Sequence, residues 1–179
     1  MILAGEKLLQ LVKEKKLVEG LCERERKNPE GAGFDLRLGA VHRIFGEAFL
    51  GIEERHTASA ETLAEFNPQK REKITINPGE CYLVTTYEKV NLPPHITANF
   101  WLRSTLYRSG IILSGGNVAP GYEGTLSFLL YNAGKCRVEI ELGARIVHIL
   151  FWEVKGKTNL YRGQWKGGRV TAPHKEKQV

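Results

Sequence analysis

Short apolar runs separated by glycine and proline recur through most of the chain, and this pattern constrains its fold more than any other feature. Residues 34–38 (FDLRL) alternate apolar and polar side chains, as a half-buried strand does. The other β-type runs are residues 41–45, 48–52, 73–77, 81–90, 96–102, 125–131, 137–142 and 145–154. Turn signals such as Pro78-Gly79 separate them. Many short strands behind a single helix predict an all-β fold, a barrel or a double-sheet jelly roll.

The amino-terminal segment has a helical pattern. Between residues 5 and 16, leucine and valine side chains share one face among good helix formers, which predicts a short amphipathic helix packed onto the body. Residues 19–33 are charged and contain Pro29, Gly31 and Gly33, so we interpret them as a loop. Residues 57–71 are interpreted as a surface excursion with one helical turn.

The length of 179 residues corresponds to one structural domain. We place this β domain at residues 1–154 and a basic tail at residues 155–179. The tail is glycine-rich and too polar to fold alone, so it either stays disordered or becomes ordered over a ligand.

Charge and cysteine content narrow the function classes. The net charge of +6 comes largely from basic residues near the two ends, and aromatic residues are not interleaved with them, so we expect no nucleic-acid partner. Cys22, Cys81 and Cys136 form no C-x-x-C pair, so neither a zinc site nor a disulfide framework is predicted, and the expected compartment is the cytoplasm. No apolar run approaches the roughly 18 residues of a membrane span, so we expect no membrane association.

Residues 114–124 (SGGNVAPGYEG) form a polar, glycine-bearing island between two strand-like runs. Such a segment cannot build a core, so we predict an exposed loop whose backbone amides can meet a ligand. Just upstream, Arg103, Ser104, Thr105 and Arg108 place two fixed positive charges and two hydroxyls close together. These donors suit an anion such as a phosphate chain.

Four segments together resemble one superfamily. The run RSTLYRSG at 103–110, PGYEG at 120–124 and LYNAG at 130–134 resemble the superfamily of trimeric dUTPases and dCTP deaminases. The amino terminus, with FDLRLG at 34–39, looks like the deaminase form, and YRGQ at 161–164 looks like the tail that closes over the nucleotide. The resemblance spans about residues 1–170 and implies the distorted jelly roll of the trimeric dUTPase type, a homotrimer, and a pyrimidine deoxynucleoside triphosphate as ligand.

The resemblance also implies roles for individual residues. Asp35 matches an aspartate that helps to bind the triphosphate and Mg²⁺ through water; without the resemblance, an ion pair between Asp35 and Arg37 is the simpler interpretation. Mg²⁺ would be held by the triphosphate and water, with no direct protein ligand. Tyr122 matches the tyrosine that packs on deoxyribose. The remaining substrate-binding candidates are Arg103, Ser104, Thr105, Arg108, Gly116, Asn117, Tyr161 and Gln164.

The expected catalytic carboxylates are missing. The deaminase glutamate on the strand after the loop corresponds to Leu129, and the dUTPase aspartate corresponds to Ala119. Glu123 is the nearest carboxylate, but we expect it to point away from Tyr122. The nine residues from Gly110 to Ala119 match dUTPase spacing, so hydrolysis of dUTP to dUMP and pyrophosphate is the leading hypothesis. The alternatives are dCTP deamination and a non-catalytic nucleotide-binding trimer. The sequence leaves open whether this chain is active and whether Ala119 is native or engineered.

Overall fold

The computed structural model describes residues 1–178, which contain three helices and fourteen strands. The helices are α1 (Gly5–Lys15), α2 (Glu23–Lys27) and α3 (Ser104–Arg108). The strands are β1 (Val18–Glu19), β2 (Gly33–Phe45), β3 (Phe49–Leu50), β4 (Glu54–His56), β5 (Ser59–Glu65), β6 (Lys73–Ile76), β7 (Cys81–Asn91), β8 (Ile96–Leu102), β9 (Ile111–Ser114), β10 (Asn117–Val118), β11 (Glu123–Asn132), β12 (Val138–Glu141), β13 (Arg145–Glu153) and β14 (Glu176–Lys177). Within residues 1–178, no helix is long and apolar enough to cross a bilayer.

The strands form one large antiparallel sheet and two small ones. The large sheet has the order β10-β8-β13-β2-β7-β11-β9, with β1 added to β7 and β5 added to β2. Strands β12 and β6 pair separately, and β14, β4 and β3 form a three-stranded sheet. The predicted all-β architecture with a short amino-terminal helix is confirmed.

Strand β2 belongs to both halves of the large sheet. Its first half pairs with β13, and its second half pairs with β7 and β5. The transition lies at Gly39, where the register to β7 shifts between Leu38 and Ala40. A Cβ atom on Gly39 would lie 2.6 Å from the backbone nitrogen of Tyr87, so only glycine lets the two strands approach this closely.

One hydrophobic core fills the interior of the curled sheet. Alternate residues of the long strands point inward, and Leu8 and Leu11 of α1 close one side. Phe34 and Phe151 pack edge to face in the core with ring centroids 6.2 Å apart. Burial of the leucine face holds α1 in place, because a helix of this length is marginal on its own.

Three expectations about local structure are wrong. Residues 57–71 contain strand β5 rather than a helical turn, because pairing with β2 overrides a polar local pattern. The segment 19–33 is not all loop, since it includes α2. The loop at 114–124 is only partly exposed: Val118 and Tyr122 are buried, and residues 117–118 pair with β8.

Asp35 and Arg37 do not pair with each other. The Arg37 Nε donates to Glu88 Oε1 at 2.6 Å, its backbone N–H donates to Oε2 at 2.7 Å, and its guanidinium stacks on Tyr87 at 4.6 Å. Glu88 is completely buried. Burial raises the pKa of Glu88, and its hydrogen bonds and ion pair with Arg37 oppose that rise. The simple ion-pair interpretation of Asp35 and Arg37 is therefore wrong.

Candidate functional site

A cavity of about 500 Å³ lies beneath residues 115–119. We call it the loop cavity. Its walls come from this loop, from Tyr122, from strands β7, β8 and β11, from residues 44–58 around β3 and β4, and from the tail. Its size falls within the range of roughly 300–1,000 Å³ that is typical of small-molecule sites.

Two glycines shape the roof of the loop cavity. Gly115 and Gly116 have φ angles of 134° and 131°, which side chains other than glycine rarely adopt. A Cβ on Gly116 would lie 3.0 Å from the Phe100 carbonyl oxygen, and the Phe100 N–H donates to the Gly116 carbonyl at 2.9 Å. The loop therefore lies flat against β8, and its backbone borders the cavity directly.

Tyr122 forms one wall of the loop cavity and is held rigidly. Its hydroxyl donates to the Thr125 carbonyl at 2.5 Å, and its ring packs edge to face on Tyr161 at 5.2 Å. Burial, with a smaller contribution from Tyr161, raises the pKa of Tyr122 to about 12. The phenol therefore stays protonated, and Tyr122 contributes an aromatic surface rather than a charge.

The tail lies across the cavity and is bonded to its rim. The Tyr161 N–H donates to the Pro120 carbonyl, and the Gly167 N–H donates to the Glu123 carbonyl, each at 2.7 Å. Gly124 makes the second contact feasible, because a Cβ there would lie 2.4 Å from the Gly168 nitrogen. Further along, β14 pairs with β4. The described tail residues therefore lie against the rim of the loop cavity.

The loop cavity has no acid–base group in its walls. Among residues 1–178, those that line it include no carboxylate, histidine or cysteine, and Arg169 is their one cation. Leu129 pairs directly with Leu83, which lines the cavity, so the expected glutamate position carries an apolar side chain beside the site. Glu123 is exposed and lies 3.7 Å from Lys166, outside the cavity lining. The described lining thus offers backbone groups and aromatic rings but no carboxylate, imidazole or thiol to move a proton.

A second polar site surrounds Asp35. Asp35 Oδ2 accepts from the Arg145 guanidinium at 2.9 Å and contacts Arg103, and Oδ1 accepts from His148 Nδ1–H at 2.8 Å. Burial is the main cause of a lowered pKa at His148, which favours the neutral, donating ring. Glu25, also buried, accepts from the Asp35 backbone N–H at 2.9 Å.

Three arginines offset the two buried carboxylates. Arg24 Nη1 lies 2.5 Å from Glu25, and Arg145 Nη1 lies 3.5 Å from the same carboxylate. Together with Asp35, Arg103 and His148, these residues form what we call the arginine cluster. Buried charges persist only when they are paired in this way. Through Arg103, the residue that follows β8, the cluster links the end of this strand to β2 and β13.

The arginine cluster borders a second, more open pocket of about 350 Å³. Its polar lining residues are Glu30, Asp35, Arg103, Ser104, Tyr107 and His148. Both Asp35 oxygens are already engaged, and within residues 1–178 no three His, Cys, Asp or Glu side chains form a metal-binding group. The residues present do not fit a directly bound Mg²⁺. A contact from Asp35 to Mg²⁺ through water stays a prediction.

The predicted site residues fall into two groups and a remainder. Those that line the loop cavity are Gly116, Asn117, Ala119, Tyr122 and Tyr161. Those that line the second pocket are Asp35, Arg103 and Ser104. Thr105, Arg108 and Gln164 line neither pocket. Thr105 and Arg108 lie on exposed positions of α3, and the Gln164 Oε1 is buried without a hydrogen-bond partner among residues 1–178.

Several residues of both sites escaped the sequence reasoning. Glu25 and Arg24 lie in a charged segment whose sequence predicts a loop, and no sequence pattern links them to Asp35. Ser127 is a hydroxyl in the apolar run TLSFLL, and this interruption was the available signal. Trp165, which lines the cavity, lies in the tail beyond the YRGQ segment.

Comparison with known proteins identifies similarity to dCTP deaminases. The dCTP deaminase-like family profile matches residues 2–154. A dCTP deaminase from Pyrococcus furiosus is 33% identical over 149 residues, which cover 83% of this chain and 85% of that protein. One from Pyrobaculum neutrophilum is 30% identical over 177 residues, which cover 98% and 97%.

Among solved structures, the 2'-deoxycytidine 5'-triphosphate deaminase from Agrobacterium tumefaciens superposes with a TM-score of 0.64 at 18% identity. The match covers 86% of this chain and 48% of that one, so this chain spans about half the length of that structure. At this level of identity the match supports the fold.

Proposed function

Since this chain belongs to the family of dCTP deaminase-like proteins, we propose that it binds pyrimidine deoxynucleoside triphosphates, and dCTP foremost, in the loop cavity. The observation that carries the proposal is the cavity itself, where backbone groups of residues 115–119 face an aromatic wall of Tyr122 and Tyr161. Backbone donors and acceptors suit the polar edge of a planar base, and an aromatic wall suits a sugar or a ring face.

The geometry supports binding more than rapid turnover. A carboxylate or imidazole that moves a proton typically contributes 10²–10⁴-fold to a rate, and the described cavity walls contain neither. We therefore propose slow or absent chemistry on the bound nucleotide.

Deamination of dCTP is the second candidate, because the similar curated proteins carry that name. The names of these relatives support dCTP deamination more than dUTP hydrolysis, which is the leading hypothesis from the sequence alone.

The triphosphate would be bound by the basic residues around α3. Arg103 and Ser104 line the second pocket, and Arg108 extends from the last turn of α3 without a carboxylate partner among residues 1–178. Mg²⁺ would be bound through the phosphates and water, as expected for a small hard cation that dehydrates reluctantly. When bound, it would offset phosphate charge.

A homotrimer would allow the two pockets to act together. Within one chain, no described residue lines both pockets. We propose that the phosphate-binding residues of one subunit meet the loop cavity of a neighbouring subunit. A complete site would then require assembly.

Calorimetric titration with dCTP, dUTP and dTTP in the presence of Mg²⁺ tests the proposed function. We expect saturable binding, strongest for dCTP. Typical turnover is about 10 s⁻¹, so loss of the proton carrier predicts ammonia release from dCTP at roughly 10⁻³–10⁻¹ s⁻¹. Absence of binding for all three nucleotides would refute the proposal, and ammonia release at about 10 s⁻¹ would establish the deaminase candidate instead.

Arg108→Ala is expected to weaken dCTP binding about 10-fold, because a charge-assisted hydrogen bond to phosphate contributes roughly 1.5–3 kcal/mol. Binding of dCMP should change much less, since the outer phosphates are absent. The melting temperature should stay constant, because Arg108 is exposed. Arg137→Ala, on another exposed arginine, is the matched control. Equal losses for dCTP and dCMP would contradict a triphosphate role.

Mixed oligomers test the shared site. Ala119→Phe fills the loop cavity, and Arg108→Ala removes a phosphate contact, so each variant alone should bind dCTP weakly. If one site uses residues of two subunits, refolding the two variants together should produce some intact sites and recover a measurable fraction of tight binding. Recovery should be absent when the variants are mixed without refolding. No recovery from oligomers proven to be mixed would place the whole site in one chain.

A further inference from the structure

His148 has one ring nitrogen bonded within the protein and one that is accessible. Its Nδ1–H donates to Asp35 Oδ1 at 2.8 Å, whereas Nε2 has no hydrogen-bond partner among residues 1–178 and is not one of their solvent-inaccessible polar atoms. The side chain is 29% exposed and lines the second pocket beside Arg103 and Ser104. We infer that His148 is a further phosphate-binding residue, which takes up a proton on Nε2 when the nucleotide binds. This inference rests on the proposed function.

The hydrogen bond to Asp35 determines which nitrogen of the neutral ring carries the proton. A carboxylate accepts hydrogen bonds, so Nδ1 is the protonated nitrogen and Nε2 keeps its lone pair. In this form Nε2 would meet a phosphate oxygen with a lone pair against a lone pair. Protonation of Nε2 replaces that repulsion with a charge-assisted N–H···O bond. A phosphate in the second pocket therefore favours the imidazolium form of His148.

The formal charges around His148 balance in the free protein. Three arginines face three carboxylates, and these groups come from every element packed against the ring. They are Arg24 and Glu25 on α2, Glu30 in the loop that follows, Asp35 on β2, Arg103 after β8 and Arg145 on β13. The Tyr107 phenol lines the same pocket. With a neutral His148 this group offers a phosphate no net charge, and protonation of the ring adds one positive charge at the pocket wall.

The direction of the pH effect follows from the two states of the ring. Burial lowers the pKa of His148 in the free protein; Glu25 and Glu30 oppose this shift, and Arg103 adds to it. A bound phosphate brings negative charge next to Nε2 and raises the pKa. Between the pKa of the free protein and that of the complex, binding takes up a proton, so affinity rises as pH falls through this range. Above both pKa values His148 is neutral in both states and contributes no pH dependence.

The test compares the wild-type chain with His148→Gln by calorimetric titration with dCTP and Mg²⁺ at pH 6, 7 and 8. Glutamine keeps an N–H donor for Asp35 but cannot take up a proton. We expect similar dCTP affinities at pH 8. At pH 6 the wild-type protein should bind dCTP about 10-fold more tightly than the variant, because uptake of one proton changes an affinity about tenfold for each pH unit. Protonation of dCTP itself is common to both proteins and cancels in the comparison.

Proton uptake can also be measured directly. Titrations at pH 7 in two buffers with different enthalpies of ionisation should show greater proton uptake by the wild-type protein than by His148→Gln. Binding of dCMP should show no such difference, since the outer phosphates are absent. NMR of the histidine ring protons in the wild-type protein should show the pKa of His148 rising when dCTP binds, and this measurement does not depend on the folding of a variant.

His95→Gln is the control, because His95 is an exposed histidine that lines neither pocket. It should leave dCTP affinity and proton uptake unchanged at each pH. If the wild-type protein binds dCTP and His148→Gln shows the same pH dependence, or the pKa of His148 does not rise in the complex, the inference fails and the proposed function stands. If the wild-type protein binds no pyrimidine nucleotide, the proposed function itself fails.

Discussion

Leu129→Glu is expected to raise the rate of ammonia release from dCTP by about 10²–10⁴-fold. The side chain at this position lies opposite Leu83 and two residues beyond Ser127 on the same strand, so a carboxylate would be placed at the cavity wall. Surrounding apolar groups should raise its pKa, which brings a glutamate nearer to the neutral range where proton transfer is efficient.

The matched control is Leu129→Gln, which has nearly the same shape but cannot carry a proton. Both variants should unfold at a similar, somewhat lower temperature than wild-type protein, because each places a polar group in an apolar wall. Only the glutamate variant should release ammonia faster. If the two variants release ammonia equally, a carboxylate at this position is insufficient for deamination. Purified dCTP and a coupled ammonia assay suffice for the measurement.

Arg37→Met should destabilise the protein by about 3–5 kcal/mol, the usual cost of removing one partner from a buried ion pair. It leaves Glu88 fully buried without the guanidinium that offsets its charge. Denaturant unfolding at pH 7 measures the loss. Since replacing both partners of such a pair is often neutral, Arg37→Met combined with Glu88→Leu should regain most of it.

The pH dependence provides a second readout of the same pair. Burial raises the pKa of Glu88 above its unfolded value, so the folded state retains a proton that the unfolded state has lost. This group's contribution to stability is therefore greatest below the unfolded pKa and declines as pH rises towards the folded pKa. In Arg37→Met the decline should extend to higher pH. A destabilisation that is identical at pH 5 and pH 8 would show that the lost interaction is packing rather than charge.

Periodicity predicted the long strands well, but it could not predict β5 or α2. Residues 59–65 form a strand because they pair with the second half of β2. The local pattern of a polar segment does not show whether such a pairing partner exists. The short helix α2 contains buried Glu25, whose partner Arg145 lies far along the chain.

For the candidate site, motif spacing located the loop and the basic run, because both are contiguous in sequence. Ser127 was missed for a different reason. It lies beside a shift in the register of β11 against β7, where the Leu126 N–H donates to Thr86 Oγ1, and a single strand's sequence does not show where its ladder will slip.

The path of β2 through both halves of the large sheet limits how the molecule can loosen. Because one strand belongs to both halves, melting of either half would disrupt the other, and the long strands of the large sheet should exchange their amide hydrogens as a single cooperative unit. Local opening at low free-energy cost should therefore be confined to the tail and to the β3–β4 hairpin with which β14 pairs. Any local opening that admits a ligand to the loop cavity would begin where the tail meets the cavity rim, while the large sheet stays rigid.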